Sequence, residues 1–405
     1  MKPTPEHRFA TAVVILCVLA VVAACSPQAQ AKSYKDVPKS HWAYTAISAV
    51  TSKGAAGERV LDDYGKLFKP NQAITRAEMA RAVVIAAGVQ AVAFNPRKVG
   101  DVPVGHQYYT YVQVALKYKF MSLDKAGNFN PGKLVKASTA ETVVVRWLKR
   151  RYPSSSWKLL SSLSRSKWEP NVGWSPKAPS YLPYIVASRQ LQLRVNHASN
   201  NDDREVTPRE PISRAEVASM LKQGYDAGST WRLYGLADFA DVTFPPMSAR
   251  QREIAAFALK YIGYPYVWAG EYPTCNSPYG YQLAGGFDCS GFVFYIMKMK
   301  FGYPITVNER GGSDMAKNAK PRITRKELTA GDVIFFAPSG PKSSVGSIFH
   351  VGLYLGNGWF IHSTGSSDGV TLASLDSSEY WKSNFAWGRR FLSKEELALS
   401  EPAVE

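Results

Sequence analysis

The apolar positions of this chain keep one period in its first half and another near its end. Over the first half they recur at helical spacing. Met79, Val83 and Val84 follow ITRAE, and Val217 and Leu221 follow ISRAE. Three stretches share a skeleton: an apolar helix, a turn, an x-x-Pro element, then a Ser/Thr-x-Ala-Glu signature opening a second helix. The first runs YKDVPKSHWAYTAISAV, then LFKPNQAITRAEMARAVVIAAG. The second runs VGDVPVGHQYYTYVQVALKY, then NFNPGKLVKASTAETVVVRWL. The third runs YLPYIVASRQLQL, then EVTPREPISRAEVASMLKQGY. Thr75 with Glu78, Ser138 with Glu141, and Ser213 with Glu216 each fit a helix capping box. Residues 153–180, rich in Ser and Pro, interrupt the pattern, and 226–248 read as a linker.

Beyond the linker, SARQREIAAFALKYIG predicts a helix capped by Ser248, with Ile254, Phe257, Ala258 and Ile262 on one face. A Gly/Pro/Tyr-rich loop leads to GGFDCSG. Phe292, Val293, Ile296 and Met297 then fit a buried helix face. In FHVGLYLGNGWFIHS the period becomes two, which predicts a hairpin around Gly356-Asn357-Gly358. If that loop has three residues, Leu355 pairs with Trp359 and Gly352 with His362, and His350 and His362 share a face. A two-residue loop would put them on opposite faces.

At 405 residues the chain is long enough for two to four units. Its hydrophobic share of 45% excludes wholesale disorder, and its formal charge of +17 favours polyanionic partners. The N-terminus narrows these. Lys2 and Arg8 precede the apolar run TAVVILCVLAVVAA, too short to span a membrane comfortably and suited to a signal peptide. Ala29-Gln30-Ala31 fits a cleavage site. Val22-Ala23-Ala24-Cys25 also fits a lipobox, which would place a lipid anchor on Cys25. An exported basic protein points to wall polymers rather than nucleic acid. Only Cys275 and Cys289 belong to the folded body, so the chain is not a disulfide scaffold.

Cys289 is expected at a helix N-terminus, where the dipole and free amides favour a thiolate, and Ser290 and Gly291 are expected to leave room for a substrate. A nucleophilic thiolate needs a base. Outside the N-terminal half the histidines are His350 and His362. The pairing makes His350 a candidate base and His362 its orienter. Three rivals stay open: a two-His metal site, two satisfied core histidines, and a Cys275–Cys289 disulfide that would block the thiol.

The three repeats resemble S-layer homology (SLH) modules, on ITRAE, ISRAE and HWA at 41–43, over residues 33–226. The resemblance implies a helical three-pronged unit that binds anionic secondary cell-wall polymers through Trp42, Arg76 and Arg214, the arginines exposed at helix N-termini. The second repeat carries Thr139 at the arginine's place. Residues 249–393 resemble the NlpC family of cell-wall cysteine peptidases, on YPYVWAG, FDCSG, LTAGDVIFF and HVGLYLGNGWFIHS in that order. This implies an α+β architecture with a papain-like catalytic domain of helices packed on an antiparallel sheet. It also implies Cys289 as nucleophile, His350 as general base, His362 as the orienting residue, Tyr266 lining the site, and Asp288 and Ser290 holding a substrate amine. Ala269 departs from a glycine of the family pattern, and the loop 271–285 is longer than that pattern.

The implied organisation is a signal peptide (1–31), repeats at 33–93, 94–152 and 153–226, a linker (227–248), the peptidase domain (249–393) and a tail (394–405). The implied activity is cleavage of peptidoglycan stem peptides, at the γ-D-glutamyl bond to diaminopimelate or lysine, at the cell surface and without metal or cofactor. An amidase or acyltransferase of the same superfamily, and a catalytically silent wall-binding protein, are the competing readings.

Overall fold

The structure, a computed structural model, describes residues 33–52, 58–92, 96–164, 176–194, 205–227, 232–282, 284–365 and 369–399. The expected signal peptide and Cys25 lie outside the described residues.

Among the described residues the repeats supply six helices of eight residues or more: α1 (Tyr44–Thr51) and α2 (Arg76–Ala86), α3 (Tyr109–Lys117) and α4 (Ala137–Arg151), α5 (Leu182–Gln190) and α6 (Arg214–Asp226). They pair between repeats rather than within them: α1 on α6, α2 on α3, and α4 on α5. The cause is a cyclic exchange of backbone hydrogen bonds just ahead of each second helix. Ile74 N–H donates to Ile212, Ile212 to Val135, and Val135 to Ile74, at 2.9–3.1 Å. Each second helix thereby starts on the x-x-Pro element of a neighbour, with Ala77 donating to Pro131, Ser138 to Pro208 and Ala215 to Pro70. The D-V-P aspartates serve the same elements. Asp36 accepts from Phe68 and Lys69 N–H, and Asp101 from Phe129 and Asn130 N–H.

Thr75/Glu78 and Ser213/Glu216 form full capping boxes. The second repeat differs from its reading. Its helix is capped at Lys136 without a side-chain hydrogen bond, and Ser138 lies inside it. The cyclic bonds align Val135 with Ile74, so Ala137, not Thr139, stands where the other repeats have Arg76 and Arg214. Glu141 is freed from capping and buried instead with Arg194, which also meets Glu205 and Glu216. Arg189 pairs with Glu205 in the same network and donates to the Gly263 carbonyl, joining the third repeat to the next domain.

The C-terminal domain opens with α7 (Ala249–Leu259), where Ser248 and Gln251 make the capping box. After it come α8 (Cys289–Phe294), prolonged by a wider helical turn over Tyr295–Lys300, and α9 (Gly312–Lys317). The sheet holds β1 (Val333–Phe336), β2 (His350–Gly356), β3 (Trp359–Thr364), β4 (Gly369–Ser374) and β5 (Phe385–Arg389), in the antiparallel order β4-β3-β2-β1-β5. A short helix, α10 (Glu379–Asn384), precedes β5. The architecture is α+β, with α8 packed on β2 and β3.

Two connecting stretches are built into the packing. Leu236, Phe239, Val242 and Met247 of the expected linker are buried, and the Phe239 ring lies 5.3 Å from that of Trp359 in β3. Residues 394–397 form a helical turn whose Glu396 meets Arg250 of α7, so the described part of the tail is docked.

Candidate active site

β2 and β3 pair in the expected register, Leu353 with Ile361 and Tyr354 with Phe360. At the turn the structure departs from it. Gly356, not Leu355, faces Trp359, with a bulge between Tyr354 and Gly356. Gly356, Asn357 and Gly358 all have positive φ there, which glycine and asparagine tolerate. The loop thus closes with two residues, Asn357-Gly358, and the bulge restores the register that a two-residue loop alone would shift, so His350 and His362 share a face and His350 Nε2 lies 2.7 Å from His362 Nδ1. This hydrogen bond serves chemistry in one tautomer. With the proton on His350 Nε2 and His362 Nδ1 accepting, His350 presents a free Nδ1 lone pair.

The pair sits in an aromatic box. Trp381 of α10 lies 5.0 Å from His350 and 4.8 Å from His362, and Phe336 and Phe360 close the sides. Burial pushes His350 down to about 3, with Asp288 opposing it, and pushes His362 well below its usual value, helped by His350. Both rings rest neutral. Among the described residues no group of three His, Cys, Asp or Glu side chains is placed to hold a metal.

Cys289 is the first residue of α8 and is part-exposed, and no disulfide joins it to Cys275. Its sulfur accepts from the N–H of Val351, the neighbour of His350 on β2, which puts the thiol beside the histidine strand. Helix amides at Cys289 and Ser290 favour the thiolate, as the sequence implied. Burial and then the Asp288 charge outweigh them and push the thiol up to about 11. The resting sulfur is therefore a thiol, because partial burial costs a charge more than one short helix terminus returns.

Asp288 is the N-cap of α8. Its Oδ1 accepts from Gly291 N–H at 2.6 Å and Ser290 Oγ at 2.9 Å, while Arg310 clamps both oxygens at 3.0 and 2.8 Å. Arg310 also meets Glu271 at 3.3 Å. The carboxylate is largely committed, with Oδ2 keeping the freer acceptor capacity. A Cβ on Gly291 would lie 2.0 Å from the Gly270 carbonyl oxygen and 2.3 Å from the Arg310 guanidinium. Gly291 thus makes room for protein, not for substrate. Tyr266 is part-exposed, and its phenol is pushed up to about 12 by burial and then by Cys289 and Asp288. Arg310 and Trp381 were missed by sequence reasoning. Arg310 lies in NERGGSD and Trp381 in a short polar helix, and neither stretch has a period that marks them.

The residues implied for polymer binding divide. Arg76 is part-exposed and spends Nε and one Nη on the carbonyls of Phe129 and Ser122. Arg214 is 1% exposed, donates to the carbonyls of Phe68 and Asp62, and lies 3.5 Å from Glu78. It is a buried clamp between repeats, not an exposed anion site, because the helix start it occupies is docked on the first repeat. Trp42 is part-buried against the third repeat, around a void of about 10 Å³ that it shares with Leu193, Arg194 and Glu216.

A helix-borne thiol beside a strand-borne, hydrogen-bonded histidine pair is the equipment of a thiol hydrolase. The NlpC/P60 family model matches residues 263–390, and the S-layer homology domain model matches residues 33–80. The chain is 36% identical to murein DD-endopeptidase MepH of Escherichia coli over 215 residues, 53% of this chain and 70% of that protein. It is 34% identical to the probable peptidoglycan endopeptidase LytE of Bacillus subtilis, over 32% of this chain and 31% of that protein. It is 36% identical to the gamma-D-glutamyl-L-lysine dipeptidyl-peptidase of Bacillus subtilis, over 32% of this chain and 38% of that protein. The chain belongs to the NlpC/P60 family of cysteine peptidases.

Proposed function

We propose that this chain is an exported cell-wall hydrolase whose C-terminal domain cleaves peptidoglycan stem peptides while the SLH repeats hold it at the cell surface. The observation that carries the reading is the Cys289 thiol on α8 beside β2, with His350 bonded to His362 at 2.7 Å. Cys289 Sγ attacks the amide carbonyl as His350 Nδ1 takes the thiol proton. A tetrahedral intermediate forms, and the Cys289 backbone N–H at the helix start is the candidate donor to its oxyanion. His350 then protonates the leaving amine, and water releases the acyl group with His350 as base. His362 holds the ring and its tautomer. Tyr266, Asp288 and Ser290 border the substrate, with Asp288 Oδ2 the group left to meet an amine.

The favoured bond is γ-D-glutamyl to diaminopimelate or lysine, supported by the likeness to the dipeptidyl-peptidase. A second reading, hydrolysis of the D,D cross-link, is favoured by the longer match to MepH. Mass spectrometry of peptidoglycan fragments after incubation with the chain, beside Cys289→Ala, separates them. Release of a dipeptide supports the first. Conversion of cross-linked dimers to monomers supports the second. Cleavage by neither protein in reductant refutes both.

A further inference from the structure

A groove of about 1250 Å³ lies on the second repeat, and none of Cys289, His350 or His362 lines it. Six cations line it: Arg97, Lys117 and Lys119 from the α3 side, and Arg146, Lys149 and Arg150 from α4. Among the described residues none of those lining it is acidic. The cations are placed by the fold. The Gln113 side chain bonds both the N–H and the carbonyl of Arg97, at 2.9 Å each. Arg150 lies 4.2 Å over the Tyr118 ring and Arg146 5.2 Å over Tyr184. Stacking holds each guanidinium plane; Arg146 spends Nε on the Tyr184 hydroxyl at 3.4 Å and one Nη on the Phe120 carbonyl at 3.3 Å, which leaves its other Nη, while the N–H edge of Arg150 faces the groove. The groove runs on through Met121, Ser122 and Arg146 into a second hollow of about 400 Å³.

We infer that this groove is a binding site for a linear phosphodiester-linked polymer. Its volume, with the hollow it opens into, exceeds that of an ordinary small-molecule pocket and suits several repeating units. Cations on both walls neutralise a charge carried in the polymer backbone from two sides, which a charge hung from a side group would not receive. Like-charged cations gathered this closely repel one another, and a polyanion relieves that repulsion as it releases its counterions. The inference rests on the proposed attachment to the wall, but moves the contact away from Arg214 and onto the second repeat.

The test compares the full chain with its Lys119→Ser/Lys149→Ser/Arg150→Ser variant, all three side chains being exposed. Each is applied to immobilised poly(glycerol phosphate), polygalacturonate and dextran across a range of NaCl. The inference expects wild type to bind the phosphate polymer best and dextran not at all. It expects the variant to lose at least about tenfold in affinity and about two from the slope of log affinity against log salt. Equal hydrolysis of a soluble stem peptide by both proteins would show that the fold and the peptidase survive. A variant that binds like wild type overturns the placement, and equal binding of polygalacturonate overturns the phosphate assignment. A wild type that binds no polymer overturns the wall-attachment reading as well, leaving the peptidase reading to its own assay.

Discussion

Alkylation of Cys289 tests the resting state of the thiol. With the sulfur near 11 and His350 near 3, moving the proton from one to the other runs uphill across about eight pH units. That gap is about 11 kcal/mol at about 1.4 kcal/mol per unit. An ion pair about 4 Å apart would return about 4 kcal/mol at an effective dielectric of 20. The neutral pair wins, and the thiolate forms only as the tetrahedral intermediate gives the proton transfer its driving force. At pH 7 a thiol titrating near 11 is ionised in about one molecule in 10⁴. Iodoacetamide rates measured from pH 6 to 10, with peptide mapping to separate Cys289 from Cys275, should therefore rise about tenfold per unit. Fast alkylation that stays level between pH 5 and 9 would refute the reasoning, because it would require a stable thiolate–imidazolium pair.

Four further outcomes are expected. His362→Ala, which strips the partner from His350 Nε2, should lower kcat about 10²- to 10³-fold with little change in KM, while His362→Gln recovers part of the loss. Arg310→Ala leaves the buried Asp288 carboxylate without its clamp and should cost about 2–4 kcal/mol in urea unfolding, a range trimmed because Arg310 is partly exposed. Ala269 sits at φ +56, so Ala269→Gly should stabilise by about 0.5–1 kcal/mol, the left-handed penalty less the entropy of glycine, read as a higher urea midpoint. Acid should destabilise the fold through the histidines. Their folded pKa values lie below the unfolded 6.5, so the unfolded chain takes up protons first, and stability falls by about 1.4 kcal/mol per pH unit per histidine from pH 6.5 downward. His350→Gln should flatten that slope in thermal melts between pH 7 and 4.

The placement of the candidate residues was legible because it is written in local patterns. An acid and a cysteine ahead of an apolar helix face place the thiol at a helix start. Period-two alternation around Gly356-Asn357-Gly358 puts His350 and His362 on one face for one of two loop lengths; the loop closes with two residues, Asn357-Gly358, and the bulge between Tyr354 and Gly356 restores the shared face. Thr75/Glu78 and Ser213/Glu216 were legible for the same reason, since a capping box closes within four residues. What the tertiary structure alone decided are the matters set by distant partners. Ser138 and Glu141 fit the same box on paper. The cyclic bonds of Ile74, Val135 and Ile212 set a different start for α4 and send Glu141 into a buried ion network. Arg214 reads as an exposed signature residue until Phe68 and Asp62, about 150 residues away in sequence, take its donors. Arg310 reaches Asp288 across 22 residues, and Trp381 covers two histidines from a helix with no periodic mark. Sequence by itself determined which residues are the candidates for the chemistry and which local elements present them. Only the packed chain decided their charge states and their neighbours, because desolvation and long-range hydrogen bonds exist once distant segments have met.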